Sequence, residues 1–234
     1  LISAIQGFIA IISTSLISGI GNLGAGGDKK RQYEIFSMVL LFYHFVAALG
    51  LVGFSLLFND VITVWLGSKY LFDGKTVFII AFNFYITNAI TPIWMYREAN
   101  GLFDQVKYLM LIRAAINIVL SVALGKICGT FGILLATAIS LIATNFWYEP
   151  NILFKEIFGA PVLNYWTGQI KYFSATALGL IIAYYSVRNI PNGIIMLLIK
   201  AVIIAVSVSL PFFAASYKST EFKTATDFLK TRRK

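Results

Sequence analysis

Two sets of polar side chains interrupt apolar stretches at the repeat of a helix. Asn83, Thr87 and Thr91 recur every four residues, as do Arg113, Asn117 and Ser121, so each set lines one side of its helix. Amides and hydroxyls donate and accept hydrogen bonds, and a guanidinium adds a rigid fork of donors suited to an anion. The chemistry on offer is recognition of a polar, negatively charged partner. Asn88, Asn145, Arg97 and Lys200 add further amides and cations to the binding candidates, and His44, beside Tyr43, is the one residue suited to relaying protons.

What surrounds these residues decides how they act. Of 234 residues, 59% are hydrophobic and only 12% charged, and the mean hydropathy is +0.80, far from the roughly 25% charged content of a soluble domain. Charge-poor runs of about 20 residues mark membrane-spanning helices; a membrane β-barrel would show alternating segments of about 10. The expected fold is all-α, a polytopic bundle of seven spans at 2–20, 35–58, 76–96, 106–124, 131–148, 172–187 and 193–216.

In hydrocarbon a polar group without a partner costs several kcal/mol, so both stripes are expected to face the interior of the bundle. There the amides and hydroxyls serve equally well as bonds between helices. A cation within a span carries a stronger functional implication. Arg113 stands about seven residues into its helix, roughly 10 Å deep in a core near 30 Å thick. Lys200 lies about as deep from the opposite side, so each leaflet is offered one cation, and both have stems long enough to snorkel. His44 reads either as a proton carrier or as a hydrogen-bonded structural histidine.

The net charge of +9 is spread over loops and the tail, which reads as a topology signal and not as a nucleic-acid surface. With the Lys29–Lys30–Arg31 loop inside, thirteen cations fall on the cytoplasmic side and four outside. That bias places the N-terminus outside and the C-terminus in the cytoplasm. The expected organisation is five spans over 1–148, a cytoplasmic interfacial connector over 149–171, two more spans over 172–216, and a basic tail over 217–234. Loop 59–75, with Trp65 and Tyr70, is expected to lie in the outer interface. Leu1 opens directly in an apolar run, which suggests a segment of a longer chain.

Absences narrow the function. All ten acidic residues are expected in loops, span ends or the tail. A Schiff-base pump using Lys200 would lack its counter-ion, and a glycan-processing enzyme its paired carboxylates or metal cluster. The lone Cys128 has no companion, and the glycines before Lys29 lack a phosphate-loop spacing. No catalytic residue, metal or cofactor is expected. What remains is a polar, cationic interior fitted to an anionic, hydroxyl-rich cargo, with Pro92 and Gly101 as candidate hinges.

Several stretches resemble Wzx-type polysaccharide and O-antigen flippases, of the multidrug/oligosaccharidyl-lipid/polysaccharide exporter superfamily. They are Gly21-Asn22-Leu23, Asp28 through Phe36, Phe82-Asn83-Phe84-Tyr85-Ile86 with Pro92, Arg97 and Gly101-Leu102-Phe103, and Trp147-Tyr148-Glu149-Pro150. The resemblance covers most of 1–172. It implies a two-lobe transporter of 12–14 helices in a bacterial cytoplasmic membrane, of which this chain matches the C-terminal lobe. It also implies alternating access moving undecaprenyl-pyrophosphate-linked oligosaccharide from the inner to the outer leaflet. The implied partners are that lipid-linked glycan, membrane lipids, an N-terminal lobe and the polysaccharide polymerase machinery. The family commonly has an acid where Arg113 stands, so the role of Arg113 is argued from its chemistry alone. An ion-coupled drug or metabolite exporter, or a membrane glycan-processing enzyme, is the alternative.

Overall fold

The computed structural model describes residues 2–231, and Arg232, Arg233 and Lys234 of the basic tail lie outside them. Helices account for nearly all of the described chain: α1 (Ile2–Ala25), α2 (Lys29–Trp65), α3 (Gly74–Ala99), α4 (Lys107–Ala143), α5 (Asn145–Leu153), α6 (Leu163–Val187), α7 (Ile194–Ser216) and α8 (Thr220–Thr231). Six helical segments among the described residues are long and apolar enough to cross a membrane when 107–158 is taken as one. Gly129 divides that one in two, at φ 60° and ψ −141°. Such a backbone suits a residue with no Cβ, and the chain folds back there, bringing Asn117 of the arm 107–128 against Thr137 and Ser140 of the arm 130–143. The chain is a multi-pass helical membrane protein.

Local chemistry accounts for the helix ends. Asp28 caps α2, its carboxylate accepting from the Arg31 N–H at 3.0 Å. At the end of α3, Leu102 N–H donates to the Arg97 carbonyl at 3.0 Å and Gly101 N–H to the Glu98 carbonyl at 3.2 Å. This is the paired closure of a left-handed glycine stop, and Gly101 has the φ of 66° it requires. Gly101 thus terminates a helix in this state of the protein.

α3 is the most enclosed helix and packs against α1, α2, the α4 hairpin and α5. Tyr33, Phe36, Tyr96, Phe154 and Phe158 form an aromatic knot where α2, α3 and the π turn Phe154–Phe158 meet, and Tyr96 Oη donates to the Gln32 carbonyl at 3.0 Å. α6 and α7 pair closely at Gly179, where an added Cβ would stand 3.2 Å from Val208 Cα. Outward-facing residues such as Phe8, Ile127 and Leu198 are apolar and exposed, as a lipid-facing surface requires.

Two boundaries differ from expectation. Residues 59–65 continue α2 instead of forming a separate interfacial segment, because nothing in Asn59-Asp60-Val61-Ile62 breaks a helix before Gly67. Residues 149–171 are built into the bundle as α5, the π turn and the start of α6. Phe154, Phe158 and Tyr165 are buried there; the aromatic knot gains more from them than a surface helix would.

Gly50 is where α2 meets α3 most tightly: a Cβ on it would stand 2.1 Å from the Phe84 ring, whereas one on Gly53 would meet nothing within 4 Å. Phe84 is itself fixed edge-on by Phe54 at 5.1 Å. Gly50→Ala is expected to destabilise the protein by about 1–3 kcal/mol, read as a lower thermal-unfolding midpoint in detergent. Gly53→Ala should leave the midpoint near wild type, and equal midpoints for the two variants would contradict this packing.

Candidate functional site

The stripe on α4 faces inward. Arg113, Asn117 and Ser121 are half-buried on a helix whose other sides are exposed, and the first two line a cavity of about 460 Å³ between α3 and the α4 hairpin. Trp94 forms one wall, with the Arg113 guanidinium 5.8 Å from its ring centre, and the Trp94 indole N–H is buried with no partner among the described residues. The opposite wall carries Thr137 and Ser140, 3.4 and 3.3 Å from the Asn117 amide. Arg113 makes no ion pair among the described residues, its contact being the face of Trp94. A guanidinium beside amide and hydroxyl donors in a partly enclosed space can bind a phosphate-like anion at two points.

Across Trp94 lies a second cavity of about 370 Å³ between α1 and α3, lined by Gln6, Ser13, Thr14, Thr87, Asn88 and Thr91. Its lining is hydroxyl- and amide-rich. The two polar spaces share Trp94 as a partition.

The remaining candidates are placed as follows. Asn83 donates to the Leu134 carbonyl at 2.9 Å, tying α3 to the α4 hairpin, and Asn88 donates to the Phe84 carbonyl at 2.8 Å within its own helix. Arg97 and Asn145 line the first cavity, yet both are engaged by Glu149. Arg97 Nη1 is 2.9 Å from Glu149 Oε2, with the two side chains 9% and 1% exposed, and the Asn145 amide donates to the other carboxylate oxygen. Pro92 is buried inside α3. Lys200 stands apart from these cavities, 2.7 Å from Asp60 Oδ2 and 3.1 Å from Asn192 Oδ1.

Two of these pairs correct the expectation that the acids lie in loops, span ends or the tail. Glu149 is buried in α5 and Asp60 lies within α2, and they pair with Arg97 and Lys200. Lys200 is therefore a clamp between α2 and the start of α7, and neither a snorkelling residue nor a solitary cation. The lack of a counter-ion no longer argues against a Schiff base at Lys200.

The structure also brings together residues that no expectation singled out. Tyr165, Gln169, Tyr172 and Thr176 lie on one face of α6 and are all buried. Their spacing of four, three and four residues is the helical stripe used to find the other two; placing the start of the helix at 172 cut this one in half. His44 stands against it, its ring centre 4.9 Å from that of Tyr172 and 6.1 Å from that of Tyr85. Both His44 nitrogens lack a hydrogen-bond partner among the described residues.

The fold and its cavities define a class, a helical membrane protein with polar chambers inside the bundle. Comparison with known proteins adds no closer assignment, since no family model, curated protein or solved structure matches the chain.

The Arg97–Glu149 pair ties α3 to α5 at the cavity edge. Glu149→Gln leaves a buried guanidinium without its counter-charge and is expected to cost about 3–5 kcal/mol, measured as loss of thermal stability in detergent. The double variant Arg97→Met/Glu149→Gln should regain most of that loss. A single variant as stable as wild type would show that the pair does not bear on the fold.

Proposed function

We propose that this chain is the C-terminal lobe of a transporter that flips lipid-linked oligosaccharide across a bacterial cytoplasmic membrane, with the Arg113 cavity receiving the anionic pyrophosphate. The observation that carries this reading is Arg113 itself: a cation well inside a membrane helix, in no ion pair among the described residues and set beside Trp94 and Asn117 in an open polar cavity. An intramembrane charge left unneutralised is costly unless a ligand or water meets it, and the neighbouring groups fit a phosphate and the sugars attached to it. The amides and hydroxyls of the adjoining chamber match a glycan, while the prenyl chain remains in lipid. The sequence resemblance to Wzx-type flippases points the same way.

The charge bias of the loops supports the orientation with N-terminus outside and C-terminus inside. Pro92 supports a hinge in α3, because it removes the N–H that would bond the Asn88 carbonyl. Movement of the arm beyond it, with Trp94, would connect or separate the two chambers during alternating access. The reading involves no bond making, and the protein acts as a transporter and not as an enzyme.

Arg113→Ala in the intact transporter should weaken binding of an undecaprenyl-pyrophosphate glycan about tenfold to a hundredfold, the loss of one charged hydrogen-bond set, and reduce surface polysaccharide while membrane insertion stays normal. Arg113→Lys keeps the charge without the fork and should fall between. Unchanged affinity and export in Arg113→Ala would remove this residue from the site. Efflux of cationic compounds by the intact protein would favour an ion-coupled exporter instead, and covalent change of the glycan would favour an enzyme.

A further inference from the structure

A groove of about 550 Å³ runs between α1, α2 and α7, with α8 at the end where α7 finishes. Its walls are almost wholly apolar: Ile12 and Leu16 of α1, Met38 and Phe42 of α2, Phe213 of α7 and Phe222 of α8. Along α2 it extends from Met38 to Phe45 and along α7 from Ser209 to Ser216, roughly 10 Å on each helix at 1.5 Å per residue. One leaflet is half of a hydrocarbon core near 30 Å thick, so the groove has the reach of a single acyl chain.

The two ends of the groove differ. Ser209, on its α7 wall, satisfies its hydroxyl on the Ala205 carbonyl at 2.7 Å. Ser216, the last residue of α7, also lines the groove; it is 2% exposed, and its Oγ has no partner among the described residues. Just beyond it stand the exposed Lys218 and Lys223, with the Lys218 ammonium 5.3 Å from the centre of the Tyr217 ring. On α2, against which α8 packs, the face that lines the groove continues past Met38 at helical spacing to Glu34 and the exposed Lys30 and Arg31. Glu34 and Glu221 are already engaged, by Arg31 at 3.2 Å and by Lys171 at 3.4 Å. Lys30, Lys218 and Lys223 make no ion pair among the described residues. The groove is therefore apolar along its length, with an unbonded hydroxyl and uncompensated cations at one end.

We propose that this groove is a binding site for a membrane glycerophospholipid with an anionic headgroup, such as phosphatidylglycerol. One acyl chain lies against Phe42, Phe213 and Phe222, and Lys30, Lys218 and Lys223 meet the phosphate. The Ser216 hydroxyl is the donor left over for an ester oxygen, and the second chain stays in the bilayer. Basic residues at a bilayer surface attract anionic lipid, and a preformed apolar groove turns that attraction into a site by holding the chain. The depth of the groove matches a phospholipid and not a much longer prenyl chain, which would run out past its far end. The site lies apart from the Arg113 cavity and does not depend on the cargo assigned to that cavity.

The full chain is reconstituted in vesicles of equal parts phosphatidylglycerol and phosphatidylcholine with matched acyl chains, extracted in mild detergent and weighed by native mass spectrometry. The expected result is one retained lipid per chain, with phosphatidylglycerol favoured about threefold or more, the size of preference that a few surface lysines supply. Lys30→Gln/Lys218→Gln/Lys223→Gln alters exposed residues only and should erase the preference while a lipid is still retained. Ser209→Trp fills the groove and should abolish retention of either lipid with the lysines in place. Equal retention of the two lipids by the wild type, or a preference that survives the triple lysine variant, would overturn the proposal, and both are read without the groove variant should that one fail to fold. Undiminished retention in a folded Ser209→Trp would overturn it too. So would displacement of phosphatidylglycerol by an equimolar polyprenyl phosphate, which would assign the groove to a carrier lipid.

Discussion

The pairing of Arg97 with Glu149 is the constraint on which the rest of this bundle depends. Two opposite charges are taken out of water where α3 ends and α5 begins, and each is tolerated only because the other is within 2.9 Å. That contact fixes α5 against α3 immediately after the break at Thr144, whose backbone leaves the helical region at φ −120° and ψ −90°. With α5 fixed, the π turn that follows is delivered to the aromatic knot on α2. The pair also settles the charge of the neighbouring cavity, because Arg97 is neutralised and Arg113 is left as the cation that faces the open space.

The same rule, that polar groups within a membrane must find partners, sorts every other polar residue in the protein. Some close bonds between helices, as Asn83 does to Leu134 and Lys200 does to Asp60. Others reach no protein partner among the described residues, and several of these lie near Trp94 or among His44 and the α6 tyrosines, while Gln32, Ser55 and Ser216 stand apart from both. The separation of the two clusters follows from α3, which presents Thr87, Thr91 and Trp94 to one side and Tyr85 to another.

Much of this was legible in the sequence, for local reasons. Apolar length gave seven spans, and helical spacing gave the two stripes around Asn83 and Arg113. The structure bears out an all-helical bundle with six segments long and apolar enough to cross a membrane among the described residues, and the Asp28 cap and the Gly101 and Gly129 reversals set several of the helix ends. The partners of Arg97 and Lys200 were not legible, because each pair joins residues far apart in the chain, 52 and 140 positions, and local spacing carries no information about such contacts. Glu149 looked like a loop acid for the same reason. The α6 stripe was legible in principle: Tyr165, Gln169, Tyr172 and Thr176 carry the same helical spacing as the others, but aromatic residues beside Lys155 and Glu156 resemble an interfacial segment until a buried partner is found.

The position of Pro92 bears on how the two polar clusters relate. It lies in α3 between Tyr85, which faces the histidine cluster, and Trp94, which partitions the two chambers, and its missing N–H withdraws one backbone bond at that point. The segment before it is bonded to the α4 hairpin through Asn83, and the segment after it is held by Arg97 to α5. A bend at Pro92 therefore shifts Trp94 and Arg97 as one unit against a fixed Tyr85 and Asn83. Because α3 carries a wall of each cluster on opposite sides of Pro92, a bend there would reshape the arginine cavity while leaving the surroundings of His44 in place.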